Sequence, residues 1–171
     1  MVSLIRQKKD PVLRQIAEAV TETLPAASVS QTIKLMAAAL EAEPDGVALA
    51  APQIGIAKKI FIVSPKVFVS PENGSENKKR ETEKKMLVFI NPQIVKKSHR
   101  QIDLIEGCLS VRGVYGHVKR YAKVTVAAQD ENGVPFTRHT ARLLAQVMQH
   151  EIDHLNGILF IDHGYDFSEV K

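Results

Sequence analysis

The feature that most limits what this chain can fold into is a helical run near the C-terminus that is apolar around most of its circumference. From about Thr140 to Asn156, Leu143, Val147, His150 and His154 fall on one stripe and Leu144, Met148, Ile152 and Leu155 on another. Gly157 comes next as a left-handed cap. A helix with so little polar face must be packed on several sides, so the rest of the chain has to wrap around it.

The wrapping material reads mostly as strands. Lys59–Val63 and Met86–Ile90 are short apolar runs, each followed by a Pro that ends or edges it. His117 to Gln129 alternates as a strand, and Asp130-Glu131-Asn132-Gly133 is a hairpin turn into Val134 to His139. Near the start, Asp10-Pro11-Val12-Leu13 opens a short amphipathic segment reaching about Val20. A helix is expected from about Ser30, as cap, to Glu43, with Ile33, Met36, Ala37 and Leu40 at helical spacing and Pro44-Asp45-Gly46 as the stop. The charged stretch 70–85 has no apolar period and is expected to be a surface loop inserted between strands. Strands in the middle and helices at both ends predict an α+β fold, with antiparallel or mixed sheets around the C-terminal helix. With 171 residues, 44% of them apolar, and neither a repeat nor a Pro/Ser-rich linker, a single domain over 1–171 is expected.

Composition removes several functional classes. One Cys cannot form an intramolecular disulfide, so a disulfide-knit secreted scaffold is excluded and a reducing compartment is favoured. No apolar run approaches the roughly 18 residues needed to span a bilayer, so no membrane association is expected. Met1 to Asp10 lacks the apolar stretch of a secretory signal. Cytoplasm is the expected address, with a processed organellar form as the alternative. The net charge of +4 is spread along the chain and aromatics are only 5%, which argues against sequence-specific nucleic-acid binding.

The buried helix also carries the chemistry. His150-Glu151-Ile152-Asp153-His154 is an H-E-x-x-H motif, and its two histidines at i and i+4 lie one above the other, where both can reach one metal ion. Glu151 is rotated by about 100° from His150, beside the ion and placed to move a proton. The five-residue pattern alone arises by chance in roughly 1% of chains this size. What supports it here is the burial of the helix that carries it. A hydrolytic site of this type needs a third protein ligand and an open position. The metzincin pattern puts that ligand where this chain has Phe160. Glu169 lies two residues from the chain end, and His163 comes after Ile158–Ile161, a run that reads as a strand leading away. Cys108, in the turn Glu106-Gly107-Cys108-Leu109-Ser110, offers a thiolate and is the favoured ligand. Gly46–Gly55 is rich in small residues around one amide, Gln53, which is either an oxyanion donor or part of a tight helix–strand junction.

Taken in order, these segments resemble the signature motifs of peptide deformylases. G-x-G-x-A-A-x-Q matches Gly46 to Gln53, E-G-C-L-S matches Glu106 to Ser110, and Q-H-E-x-D-H matches Gln149 to His154. Asp10 to Arg14 and Ile90-Asn91-Pro92 resemble further family segments. The resemblance implies a hydrolase that removes the formyl group from N-terminal formylmethionine of new polypeptides and releases formate. It also implies one divalent metal, natively Fe2+ and replaceable by Ni2+, Co2+ or Zn2+. Carried over, Cys108, His150 and His154 are the metal ligands and Glu151 the general base and acid. Gln53 and the Leu109 N–H hold the oxyanion. The backbone of Gly46 and Val47, next to Ala48, takes the peptide as an added strand, and Val47, Leu104, Leu143 and Val147 line the methionine pocket. Docking on the ribosome through basic residues is compatible with that activity. Two positions depart from the pattern: Ala48 replaces its second Gly, and Arg112 stands where many relatives have Pro. The rival readings are another H-E-x-x-H metallopeptidase and an inactive peptide-binding relative.

Overall fold

In the computed structural model, which describes residues 5–69 and 85–170, the strands in chain order are β1 (Ala48–Ala50), β2 (Ile60–Val63), β3 (Leu87–Lys97), β4 (Gln101–Cys108), β5 (Val111–Tyr121), β6 (Lys123–Gln129), β7 (Pro135–Ala141) and β8 (Tyr165–Glu169). They form two antiparallel sheets, ordered β1-β2-β3-β6-β7 and β4-β5-β8. The helices are α1 (Ala26–Glu41), α2 (Lys66–Val69) and α3 (Arg142–Leu155). Among the described residues, no helix is long and apolar enough to cross a membrane.

All four residues of β2 are buried, because both faces of its sheet are covered. Phe61 and Val63 point to one side, where they join Leu144, Ala145, Val147 and Met148 of α3. Ile60 and Ile62 point to the other, against Met36 and Leu40 of α1. Phe61 also stacks on its cross-strand partner Phe89, with ring centroids 4.6 Å apart. A third cluster, Leu13, Val111, Val118, Leu159 and Phe160, lies against the smaller sheet. Helix α3 touches β1, β2, β6 and β7 of one sheet and β5 of the other, so it lies between them. This is the α+β arrangement around a central C-terminal helix that its apolar circumference requires.

Several boundaries differ from expectation, each for a local reason. Helix α1 starts at Ala26 after Pro25, because Val29 extends the Ile33, Met36, Leu40 stripe back by one turn; Ser30 therefore lies inside the helix and caps nothing. The segment opened by Asp10 is only a 3₁₀ turn, Pro11–Arg14, with Asp10 Oδ1 accepting from Val12 N at 3.1 Å. Beyond it the backbone bonds elsewhere, Ala17 N–H to Leu155 O and Glu18 N–H to Ala57 O. Pro92 does not end β3. Asn91 adopts a φ of 50° in a bulge between Ile90 and Gln93, and its side-chain amide pairs with both backbone groups of Val20 at 2.8 Å.

The run His117–Gln129 is two strands in different sheets rather than one. The chain turns at Tyr121, whose N–H donates to Gln149 Oε1 at 2.9 Å and whose carbonyl accepts from Gln149 Nε2 at 3.0 Å. A glutamine on α3 thus replaces a neighbouring strand at the crossing. The hairpin at Gly133 and the cap at Gly157 occur as expected, with φ of 78° and 72°. After the cap, Ile158–Ile161 is not a strand: Phe160–Asp162 is a 3₁₀ turn that buries Phe160 in the third cluster. The expected loop 70–85 falls outside the described residues except for Lys85.

Candidate active site and metal centre

The register of α3 sets His150 and His154 one turn apart, with ring centroids separated by 4.9 Å. The β4–β5 hairpin brings the third group from a distant part of the chain. Cys108 ends β4 at a register shift, and its Sγ lies 3.2 Å from His154 Nε2. One donor atom from each of Cys108, His150 and His154 lies within 4.8 Å of the others. Gly107 makes the hairpin possible, since a Cβ there would lie 2.6 Å from the Tyr115 ring. The thiol is held by Ser110 N–H, which donates to Sγ at 3.4 Å, and faces Gln53 Nε2 at 3.7 Å.

Gln53 is buried in the 3₁₀ turn Ala51–Ile54 that comes after β1. Its Oε1 accepts from Ala50 N at 2.8 Å and its Nε2 donates to Ser110 Oγ at 3.1 Å. Both ends of the amide are therefore set, with the NH₂ turned toward Cys108.

The charges around the cluster favour a bound cation. Burial raises the Cys108 thiol, but the imidazoles of His154 and His150 pull it well below its ordinary range. Burial opposes charge on His150, yet Cys108 and Glu106 raise it well above the usual imidazole value. The result is a thiolate against an imidazolium, and a divalent ion can take the place of that proton. Two imidazoles, a thiolate and room for a fourth ligand form a chemically sound donor set. Burial pushes the Glu151 carboxyl up to about 7 against the pull of His150 and His154. Glu151 Oε2 and His154 Nδ1 are buried without hydrogen-bond partners among the described residues.

Reading the sequence missed the residues behind the cluster. Glu106 Oε2 lies 2.9 Å from His150 Nδ1, which turns the other ring nitrogen toward the thiol. Arg120 grips Glu106 bidentately at 2.7 and 2.9 Å and reaches Asp153 at 2.6 Å. With side-chain exposures of 6% for Arg120 and 2% for Glu106, this pair is screened from water. Burial raises the Glu106 carboxyl, but Arg120 and His150 together bring it down to about 2. Nothing in one sequence pairs positions 106 and 120. The strand register sets Glu106 opposite Gly116 and Arg120 opposite Ile102, and the two long side chains meet beside His150 and Asp153 of α3.

A cleft of about 680 Å³ opens over the cluster and is bordered by Gly46, Val47, Ala48, Gln53, Cys108, Leu109, Leu143, Val147, His150 and Glu151. Of the expected pocket residues, only Leu104 does not border it. Gln146 closes that end instead, donating from Nε2 to the Ile105 carbonyl at 2.9 Å. A second cleft, about 770 Å³, lies behind Arg120 and is bordered by Lys96, Lys97 and Lys119. None of Cys108, His150 and His154 borders it.

A thiol and two imidazoles able to hold a metal, beside a carboxylic acid that titrates near neutrality in a peptide-sized cleft, define the class as metal-dependent hydrolases. The sequence pattern of polypeptide deformylase matches residues 2–169. The chain belongs to the peptide deformylase family, metal-dependent enzymes that remove the N-formyl group from nascent peptides. It is 41% identical over 154 residues to the peptide deformylase of Desulfotalea psychrophila, covering 90% of this chain and 82% of that one. A crystal structure of the Legionella pneumophila peptide deformylase superposes with a TM-score of 0.81 at 37% identity, over 97% of this chain and 88% of that one. A Met-Ala-Ser-bound crystal structure of a class I type b peptide deformylase from Acinetobacter baumannii gives a TM-score of 0.81 at 30% identity, over 95% and 98% of the two chains.

Proposed function

We propose that the chain, acting as one catalytic unit, holds a ferrous ion through Cys108, His150 and His154 and hydrolyses the formamide bond of formylmethionyl N-termini, releasing formate and the free amine. The observation that carries this reading is the convergence of those three donor atoms, within 4.8 Å of one another, at a cleft that Cys108, His150, Glu151 and Gln53 border, with His154 buried behind them. A divalent ion bound there supplies Lewis acidity and makes water nucleophilic at neutral pH.

The protein's own groups do the rest. Glu151, with a carboxyl raised to about 7, takes the proton of the attacking water and returns it to the departing amine nitrogen. Nε2 of Gln53 donates to Ser110 Oγ at 3.1 Å and faces Cys108 Sγ at 3.7 Å, and from there it donates to the formyl oxygen as negative charge develops. Leu109 N–H is the second donor to that oxygen. Because Oε1 of Gln53 is anchored on Ala50 N, the amide is oriented before substrate arrives. Among the described residues strand β1 pairs only with β2, so its outer edge, continued by Val47 and Gly46 with Ala48, is open to a peptide added as a strand. Leu143 and Val147, on the α3 face that carries His150, receive the methionine side chain.

Iron is the resident metal in this reading, with Ni2+, Co2+ or Zn2+ as substitutes, and a thiolate on an oxidisable ion suits a reducing bacterial-type cytoplasm. Lys96, Lys97 and Lys119 around the second cleft support docking on the anionic surface of the ribosome. The test is formate release from formyl-Met-Ala-Ser by protein purified without oxygen; the Acinetobacter relative binds the corresponding product, Met-Ala-Ser. Multiple turnovers are expected, and release no faster than without protein would overturn the reading.

A further inference from the structure

We propose that Arg112, held in place by Glu43, binds the main chain of the substrate beyond its formylmethionine and so favours peptides that extend past their second residue; the proposal rests on the deformylase reading. Arg112 Nη1 donates to Glu43 Oε2 at 3.0 Å and Nη2 to Oε1 at 2.6 Å, a guanidinium fork on a carboxylate. The partners belong to opposite walls of the catalytic cleft. Glu43 lies between α1 and β1, Arg112 lies on β5 just past the turn that holds Cys108, and both border the opening.

The Glu43 side of the pair is firmly anchored. Lys66 Nζ donates to the carbonyls of Glu43 and Pro44 at 3.4 and 3.0 Å, and Gly46 N–H donates to the Glu43 carbonyl at 3.1 Å. The Glu43 side chain is only 18% exposed while that of Arg112 is 54% exposed. The carboxylate is covered by the pair, and the guanidinium faces the mouth. Two of the five N–H donors of an arginine are committed to Glu43, which leaves three on a residue that borders the cleft.

An ion pair this exposed contributes little to folding, so its stability does not explain its position. Its position along the path of the peptide does. A chain with its formyl group at Gln53 that runs alongside Ala48 back to Gly46 is heading toward Glu43. At about 3.3 Å per residue it passes Arg112 at its second or third residue. There a preoriented guanidinium can donate to a main-chain carbonyl that β1 leaves unpaired.

The test compares metal-loaded wild type, Arg112→Ala, Arg112→Lys and Glu43→Gln on formyl-Met-Ala-Ser and formyl-Met-Ala. The ratio of kcat/KM for the tripeptide over the dipeptide is expected to fall about fivefold in Arg112→Ala, through KM rather than kcat. Arg112→Lys and Glu43→Gln are expected to show smaller falls in the same ratio. An unchanged ratio in Arg112→Ala, or an equal fall on both peptides through kcat, overturns the proposal. Wild type that releases formate from neither peptide counts instead against the deformylase reading.

Discussion

Glu106 Oε2 and His150 Nδ1 lie 2.9 Å apart, although the two residues are 44 positions apart in the chain. A carboxylate thereby fixes one nitrogen of an imidazole that, in the proposed metal centre, presents the other to the ion. Arg120 holds that carboxylate by two bonds and is itself held by Asp153. The orientation of His150 is thus set by a charged network that is buried at Glu106 and Arg120 and partly exposed at Asp153.

Glu106→Gln keeps the volume and removes the charge. It is expected to weaken metal retention by about 10- to 100-fold, measured by competition with a chelator of known affinity. Retention equal to wild type would mean that the contact does not orient the ligand.

The same carboxyl makes stability depend on acidity. Burial raises it, but Arg120 and His150 outweigh burial and bring it from an ordinary value of 4.5 to about 2 in the folded protein. Its contribution, on the order of 3 kcal/mol, is therefore complete above 4.5 and is lost as pH falls toward 2. Urea unfolding from pH 7 to 3 should show a stability gap between wild type and Glu106→Gln that narrows as pH falls below 4.5. A gap that stays constant over this range would assign the network another role.

Gln149→Ala removes the partner of both Tyr121 backbone groups where the chain passes from one sheet to the other. Leaving two such groups unpaired costs about 2 to 4 kcal/mol, read as a lower denaturant midpoint with an unchanged slope. A loss below about 0.5 kcal/mol would show that the crossing is held by other contacts.

Glu151→Gln is expected to reduce turnover by about 10²- to 10⁴-fold with metal content preserved. Turnover near that of wild type would remove Glu151 from proton transfer.

The features legible in the sequence are those that local rules determine. Helix α3 is legible because its two apolar stripes leave it nowhere to sit but between layers. Cys108 stands out as a candidate ligand because the downstream alternatives, Phe160 and Glu169, fail on chemistry or anchorage, and the fold sets it beside His150 and His154. The hidden features depend on register and on side chains that replace backbone. Pro92 reads as a stop, but Asn91 absorbs the irregularity in a bulge by pairing with Val20. The break at Tyr121 is invisible in an unbroken alternation, because the group that permits it, Gln149, lies 28 residues away. Arg120 and Glu106 sit on adjacent strands like any surface pair, and only the packing of α3 onto that hairpin buries them.

The most direct test of the account is the metal content of protein purified without oxygen, wild type beside Cys108→Ser. A thiolate that completes the set with His150 and His154 predicts one ion per wild-type chain and an occupancy well below that in the variant. Full occupancy in Cys108→Ser, or none in the wild type, would contradict the metal centre on which the proposed chemistry depends.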